Sequence, residues 1–299
     1  MSQRIALPGG RQASYEVVGS GRPTLMFPGG PGFSGSYMRP DADLLADELC
    51  VYLIDPHGSG DSTAPATQDG YSPGGHAFFY EEVRQALGLD RVIVLGHSFG
   101  ATTSLAYAAT YPEAVSACVA VAPFGVGTAA DLAAGGGAAA EMEAAVRRHE
   151  GAEWYPAARA AFDGFAEAVL ASTDPAQVEA LMSTLLSIYT AHPERESVRA
   201  GLELARSNLK VNLEAMKAWE GGLYQQIDLR PLLARVGCPT LVVAGELDFI
   251  CGPAQARPIH SAIPHSQLEL IPDCGHFLSL EAPGAYRRAV LDFLSRNRL

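Results

Sequence analysis

The sequence predicts an α/β fold: a mostly parallel twisted sheet, helices on both faces, and a helical cap inserted into it. Three observations carry that prediction. Apolar, β-branched runs alternate with helical stretches from Thr24 to Val121, the pattern of strands joined by crossover helices. The alternation stops after Pro123, gives way to a stretch rich in Ala, Glu, Arg and Leu from about Phe124 to Tyr224, and resumes at Thr240. Finally, Gly96-His97-Ser98-Phe99-Gly100 places a serine between two glycines where a strand hands over to a helix.

The elements follow in chain order. Ile5–Leu7 and Ser14–Val18 read as strands of a hairpin turned by Pro8-Gly9-Gly10-Arg11. Thr24–Phe27, Leu44–Leu49, Val51–Ile54 and Phe78–Leu87 begin the strand–helix alternation, and Arg91–Leu95 is the strand that feeds the serine turn. A helix over Ala101–Thr110 and a strand over Ala117–Val121 complete the first half. Helical spacing in the insertion marks Ala138–His149, Ala157–Leu170, Pro175–Tyr189 and Ser197–Trp219, with Gly135-Gly136-Gly137 as a loop or hinge. Thr240–Gly245 and Gln267–Ile271 are the last strands, and Pro283–Arg296 is an amphipathic helix. The expected division is a catalytic core of residues 1–123 and 225–299 and a cap of residues 124–224.

The serine turn carries the chemistry. A strand-to-helix turn this tight holds its serine in strained geometry, and a side chain at either glycine would strike the neighbouring strand or helix. Such a nucleophile elbow lifts Ser98 Oγ above the sheet while the following helix aims N–H groups at a developing anion. Two later strand ends supply the partners. Glu246-Leu247-Asp248 follows one strand, and Pro272-Asp273-Cys274-Gly275-His276 follows the next. The order Ser98, Asp248, His276 is that of a catalytic triad on a parallel sheet, with His276 taking the serine proton and Asp248 fixing the imidazole tautomer. Glu246 and Asp273 are the weaker candidates for the acid. His97 is expected to pack beneath the turn, and His57, His76, His149, His192, His260 and His265 lack a strand-end position. The oxyanion donors are expected from the backbone N–H of Phe99 and of Gly30, with Gly29 as second choice, because Pro28-Gly29-Gly30-Pro31-Gly32 follows the strand ending at Phe27.

These segments, with Leu53-Ile54-Asp55-Pro56-His57-Gly58-Ser59-Gly60-Asp61-Ser62 and Gly245-Glu246-Leu247-Asp248-Phe249-Ile250-Cys251, resemble the proline iminopeptidase-like group of α/β-hydrolase fold serine hydrolases. The resemblance runs from residue 28 to residue 277. It implies the α/β-hydrolase fold and acyl-enzyme chemistry on an ester, lactone or amide of a small molecule. Release of N-terminal proline from a short peptide is the alternative, and a non-hydrolytic or receptor-like member of the fold is the second. The chain departs from the group at Pro28, where a histidine is usual, and at Phe99, where a tryptophan is frequent. Iminopeptidase relatives hold the substrate amine with carboxylates, some from the cap; Glu214 and Glu220 lie in that region but read more simply as solvated. Trp154, Tyr189 and Trp219 are the candidates for lining the substrate pocket.

Composition agrees. A chain of 299 residues with 48% hydrophobic content can bury a large core. A net charge of −12 disfavours nucleic acid and anionic membranes as partners. No run is apolar and long enough to span a bilayer, and Met1-Ser2-Gln3-Arg4 leads into a strand instead of a secretory signal, so a cytoplasmic location is expected. The five cysteines, Cys50, Cys118, Cys238, Cys251 and Cys274, show no metal spacing and read as free thiols. Cys251 and Cys274 flank the acid and base loops, so bulky thiol reagents are expected to inhibit. The chemistry requires no metal or organic cofactor; the sequence leaves the oligomeric state open.

Overall fold

The computed structural model describes residues 2–125 and 138–299. Gly135-Gly136-Gly137 lies outside them. Eight strands form one sheet in the order β1-β2-β4-β3-β5-β6-β7-β8. β1 (Gln3–Leu7) and β2 (Arg11–Val18) are the hairpin, and β2 pairs antiparallel with β4 (Leu49–Ile54). The rest is parallel: β3 (Arg22–Phe27), β4, β5 (Val92–His97), β6 (Val115–Val121), β7 (Thr240–Gly245) and β8 (Gln267–Ile271).

All six residues of β5 are buried, as a central strand covered on both faces must be. Its side chains alternate between two cores. Val92 and Val94 pack with α2 (Pro73–Ala86), α3 (Phe99–Thr110) and, later in the chain, α11 (Pro253–Ala262). Ile93 and Leu95 pack on the opposite face with α1 (Arg39–Leu45) and α13 (Pro283–Arg296). Parallel strands end at one edge, so the loops after β3, β5, β7 and β8 gather there.

Between β6 and β7 the described residues contain helices and no strand. They are α4 (Ala138–Arg147), α5 (Tyr155–Asp163), α6 (Phe165–Ala171), α7 (Pro175–Leu185), α8 (Glu196–Asn208), α9 (Leu213–Ala218) and the short α10 (Arg230–Leu233). Two expected helices are divided. Gly164 separates α5 from α6, adopting φ −97° and ψ 7°. The stretch expected over Ser197–Trp219 breaks at Leu209–Asn212, where Val211 bridges Phe33 and the Asn212 side chain caps α9 by accepting from the Glu214 and Ala215 amides at 3.0 and 3.2 Å. This insertion has its own apolar cluster, including Leu185, Val178 and Met216, and Phe33 of the core joins it. No described helix is long and apolar enough to cross a membrane. The last short helix, α12 (Leu278–Glu281), follows β8.

Candidate active site

Ser98 sits between β5 and α3 with φ 57° and ψ −122°, a backbone conformation an L-residue holds only under surrounding constraint. The constraint is visible at the two glycines. A Cβ on Gly96 would lie 2.1 Å from the Gly100 carbonyl oxygen, and one on Gly100 would lie 2.0 Å from that of Phe27. The strand, the turn and β3 are in backbone contact, so both positions must be glycine. The Ser98 amide donates to the Val121 carbonyl at 2.9 Å, anchoring the turn to β6. The Phe99 amide opens α3, where helical geometry supplies no acceptor for it.

Asp248 and His276 meet above the ends of β7 and β8. His276 Nδ1 lies 2.8 Å from Asp248 Oδ2, and the Asp248 side chain is completely buried. Oδ1 of the same carboxylate accepts the Ile250 and Cys251 amides at 2.9 and 3.0 Å. Burial alone would raise this carboxyl; the charge and hydrogen bond of His276, with the two amides, hold it below the ordinary aspartate range. The His276 backbone is held as well: its N–H donates to the Tyr189 carbonyl at 2.9 Å, and its carbonyl lies 2.8 Å from His97 Nε2. His97 packs beneath the turn, as its position in the motif suggests. Burial, and then the neighbouring His276, push it down to about 3, so it is neutral. Nε2 donates to the carbonyl and Nδ1 accepts from the Tyr37 hydroxyl at 2.9 Å. Neither the His97 nor the Tyr37 role was legible in the motif alone.

Ser98 and His276 line one cavity of about 350 Å³ beneath the helical insertion. Among the described residues no hydrogen bond joins Ser98 Oγ to His276. The hydroxyl lies instead beside the Cys251 thiol, which burial and then Asp248 push well above its usual range, with Ser98 offsetting part of the rise. Gly30 and Pro31 form the facing wall, and Gly30 adopts φ +117°. The loop that carries them is fastened from three directions. Gly35 N–H donates to Asp55 Oδ1 at 2.8 Å, Ser59 Oγ donates to the Gly32 carbonyl at 3.2 Å, and Asn212 N–H donates to the same carbonyl at 2.7 Å. Asn212 Nδ2 also donates to the His57 carbonyl at 3.0 Å. The Pro56–Ser62 loop and Asn212 thus set the Gly30 loop, a role that needs three distant segments together and leaves no local pattern.

The remaining lining is largely apolar, with Phe162, Phe165, Met182 and Met216 among it. Tyr189 and Trp219 line it as expected. Trp154 does not; its ring packs against His149 and Tyr155 inside the insertion, because helical spacing places an aromatic on a face without saying which layer the face meets. Glu214 is exposed at the start of α9, whereas Glu220 faces the cavity. Burial raises the Glu220 carboxyl, and no hydrogen bond or cation engages it among the described residues. Of the rival acids, Asp273 pairs with Arg195 and His192 at 2.5 Å each on the surface, away from His276 Nδ1. Cys251 and Cys274 are both fully buried, and burial pushes both thiols up, so a bulky reagent has no reactive thiolate to meet. That corrects the expectation of inhibition. Asp248, Cys251 and His276 are the one described group whose potential metal-ligating atoms lie within 4.8 Å of one another. The carboxylate and the imidazole are already hydrogen-bonded to each other, and the thiol is held protonated.

Comparison with known proteins agrees with this architecture. A family model described as the alpha/beta hydrolase fold matches residues 23–283. The chain is 37% identical over 100 residues to a proline iminopeptidase of Saccharolobus solfataricus, a match covering 33% of this chain and 32% of that one. It is 25% identical over 277 residues to the putative carbamate hydrolase RutD of Shigella flexneri, covering 91% of each. Among solved structures, a thermophilic esterase from Thermogutta terrifontis superposes over the whole of both chains with a TM-score of 0.75 at 20% identity.

Proposed function

The chain belongs to the alpha/beta hydrolase fold family, and on that footing we propose that it is a serine hydrolase of small carboxylic esters or lactones bearing an apolar acyl group. One observation carries the reading: Ser98 and His276 face a single apolar cavity, and a buried carboxylate holds the far nitrogen of that imidazole.

The steps follow from the residues. The substrate carbonyl enters between Ser98 and Gly30, and its arrival draws the Ser98 hydroxyl from Cys251 into a hydrogen bond with His276 Nε2. Ser98 Oγ attacks the carbonyl carbon as His276 takes the proton, with Asp248 stabilising the imidazolium. The Phe99 and Gly30 amides receive the oxyanion. Collapse expels the alcohol, protonated by His276, and leaves an acyl-Ser98 ester. Water, activated by His276, then releases the acid. The Phe, Met and Trp side chains of the insertion, acting as a cap, favour an apolar acyl chain by excluding water from it.

A second reading has one observation in its favour. Among the described residues Glu220 has no hydrogen-bond or ion-pair partner on its apolar wall, and such a carboxylate is suited to a protonated amine. That supports release of an N-terminal residue, proline included, from a short peptide. Turnover of p-nitrophenyl butyrate beside prolyl-β-naphthylamide, with Ser98→Ala as the blank, separates the two. Ester cleavage without prolyl release is the result expected; prolyl release at the faster rate establishes the second reading, and silence on both refutes the ester assignment.

A further inference from the structure

Asp248 is not the only carboxylate set against the His276 loop. We propose that Glu281 is a positioning residue that holds the His276 loop and the overlying insertion in register for the reaction, an inference that rests on His276 being the base proposed above.

Glu281 ends α12, one turn beyond His276 in the chain. Its Oε1 accepts the Phe277 amide at 3.1 Å, and its Oε2 accepts the Gly275 amide at 3.0 Å. The carboxylate therefore grips the backbone on both sides of His276. Oε2 also accepts the Ala191 amide at 2.7 Å, from the segment whose Tyr189 carbonyl receives the His276 N–H. Residues 275–277 and 189–191 are thus joined along a seam with Glu281 inside it. The seam is tight enough to dictate Gly275: a Cβ there would lie 2.7 Å from the Ala191 nitrogen, 2.8 Å from the Tyr189 oxygen and 2.9 Å from Glu281 Oε1.

Three amide donors converge on this carboxyl, which favours the acceptor-only ionised form over the neutral acid, whose hydroxyl would add a fourth donor. Burial raises the Glu281 carboxyl above the ordinary glutamate range, and the three amides with the charge of His276 offset part of that rise. The Asp248 hydrogen bond sets the tautomer and one end of the ring. The distance from its other end to Ser98 then depends on where the His276 backbone lies. A displacement of about 1 Å at such a site costs about 10²-fold in rate.

The test uses the full chain with Glu281→Gln and Glu281→Asp. Turnover of p-nitrophenyl butyrate is expressed per active site, counted by exhaustive labelling with a fluorophosphonate. Gln presents an N–H₂ group to backbone donors, and Asp is too short to reach all three amides. Both variants are expected to lose roughly 30- to 100-fold in kcat per labelled site, with KM within about twofold of wild type. A role in folding alone would reduce the labelled fraction and leave kcat per labelled site unchanged, which overturns the proposal. Should the Gln variant fail to fold, the Asp variant, which keeps the charge, decides by the same criterion. A wild-type chain that is neither labelled nor active overturns the hydrolase reading; an active wild type with unaltered variants overturns the Glu281 assignment alone.

Discussion

Replacing Asp248 by asparagine turns one of its two acceptor oxygens into an N–H₂ donor without changing shape, and the surroundings determine which way the new amide must face. Oδ1 accepts two backbone N–H groups, from Ile250 and Cys251, and Oδ2 accepts His276 Nδ1–H. The asparagine oxygen belongs opposite the two backbone donors, which leaves its N–H₂ facing His276 Nδ1. That nitrogen then becomes an acceptor, the proton moves to Nε2, and the ring can no longer take the Ser98 proton. Turning the amide over would restore the tautomer but leave two buried N–H groups facing a donor, at a cost of about 1–3 kcal/mol each. The productive tautomer is therefore disfavoured by about 2–6 kcal/mol, or between about 30-fold and 10⁴-fold in rate at about 1.4 kcal/mol per decade. Loss of the charge facing the imidazolium, in a site where the carboxylate is fully buried, adds to this, and other Ser-His-Asp enzymes lose about 10⁴ on the same change. Asp248→Asn is thus expected to lower kcat for p-nitrophenyl butyrate by about 10³ or more, with KM little altered and the melting temperature near that of wild type. A variant that retains a tenth of wild-type kcat refutes the reasoning, because it would show that Asp248 does not set the tautomer.

Further outcomes follow from other residues. Glu220→Gln is expected to leave p-nitrophenyl butyrate turnover within about threefold, since a neutral ester gives the carboxylate nothing to bind; any prolyl-amide hydrolysis would fall at least tenfold. Because burial raises the Glu220 carboxyl, protonation begins at a higher pH than for an exposed glutamate, so KM for an amine substrate should rise as pH falls through the mildly acid range, and a flat KM there would remove Glu220 from amine binding. Gly100→Ala places a Cβ 2.0 Å from the Phe27 carbonyl oxygen and is expected to destabilise the chain by about 3 kcal/mol or more, measured by thermal melting. Titration with an aromatic disulfide should find about one reactive thiol, Cys50, in the folded protein and all five after denaturation, since the other four are buried; rapid reaction of Cys251 would contradict its placement.

Much of this was legible in the sequence where local chemistry and long-range structure agree. β5 reads as a central strand because both its faces are apolar, and the elbow glycines read correctly because the backbone contacts at Gly96 and Gly100 leave no alternative. Asp248 and His276 meet because the ends of parallel strands share one edge, which the order of strands and loops in the sequence makes legible. Where a feature depends on contacts between distant segments, the sequence is silent. The break at Leu209–Asn212 exists because Asn212 reaches Gly32 and His57, so helical spacing ran through it unchecked. Trp154 and Trp219 look alike as aromatics of helical segments, yet one packs within the insertion and the other faces the cavity. Glu220 enters the cavity from a widened helical turn that closes with Gly222 at φ +117°, which no periodicity anticipates.

The central claim is that Ser98 is the nucleophile, and it is tested most directly by treating the protein with a fluorophosphonate and locating the adduct by peptide mass spectrometry. The account predicts a single adduct on Ser98, loss of ester turnover in proportion to labelling, and a Ser98→Ala variant that is unlabelled and slower by about 10³ or more. Labelling at another residue, or a Ser98→Ala variant that turns over substrate at the wild-type rate, would contradict it.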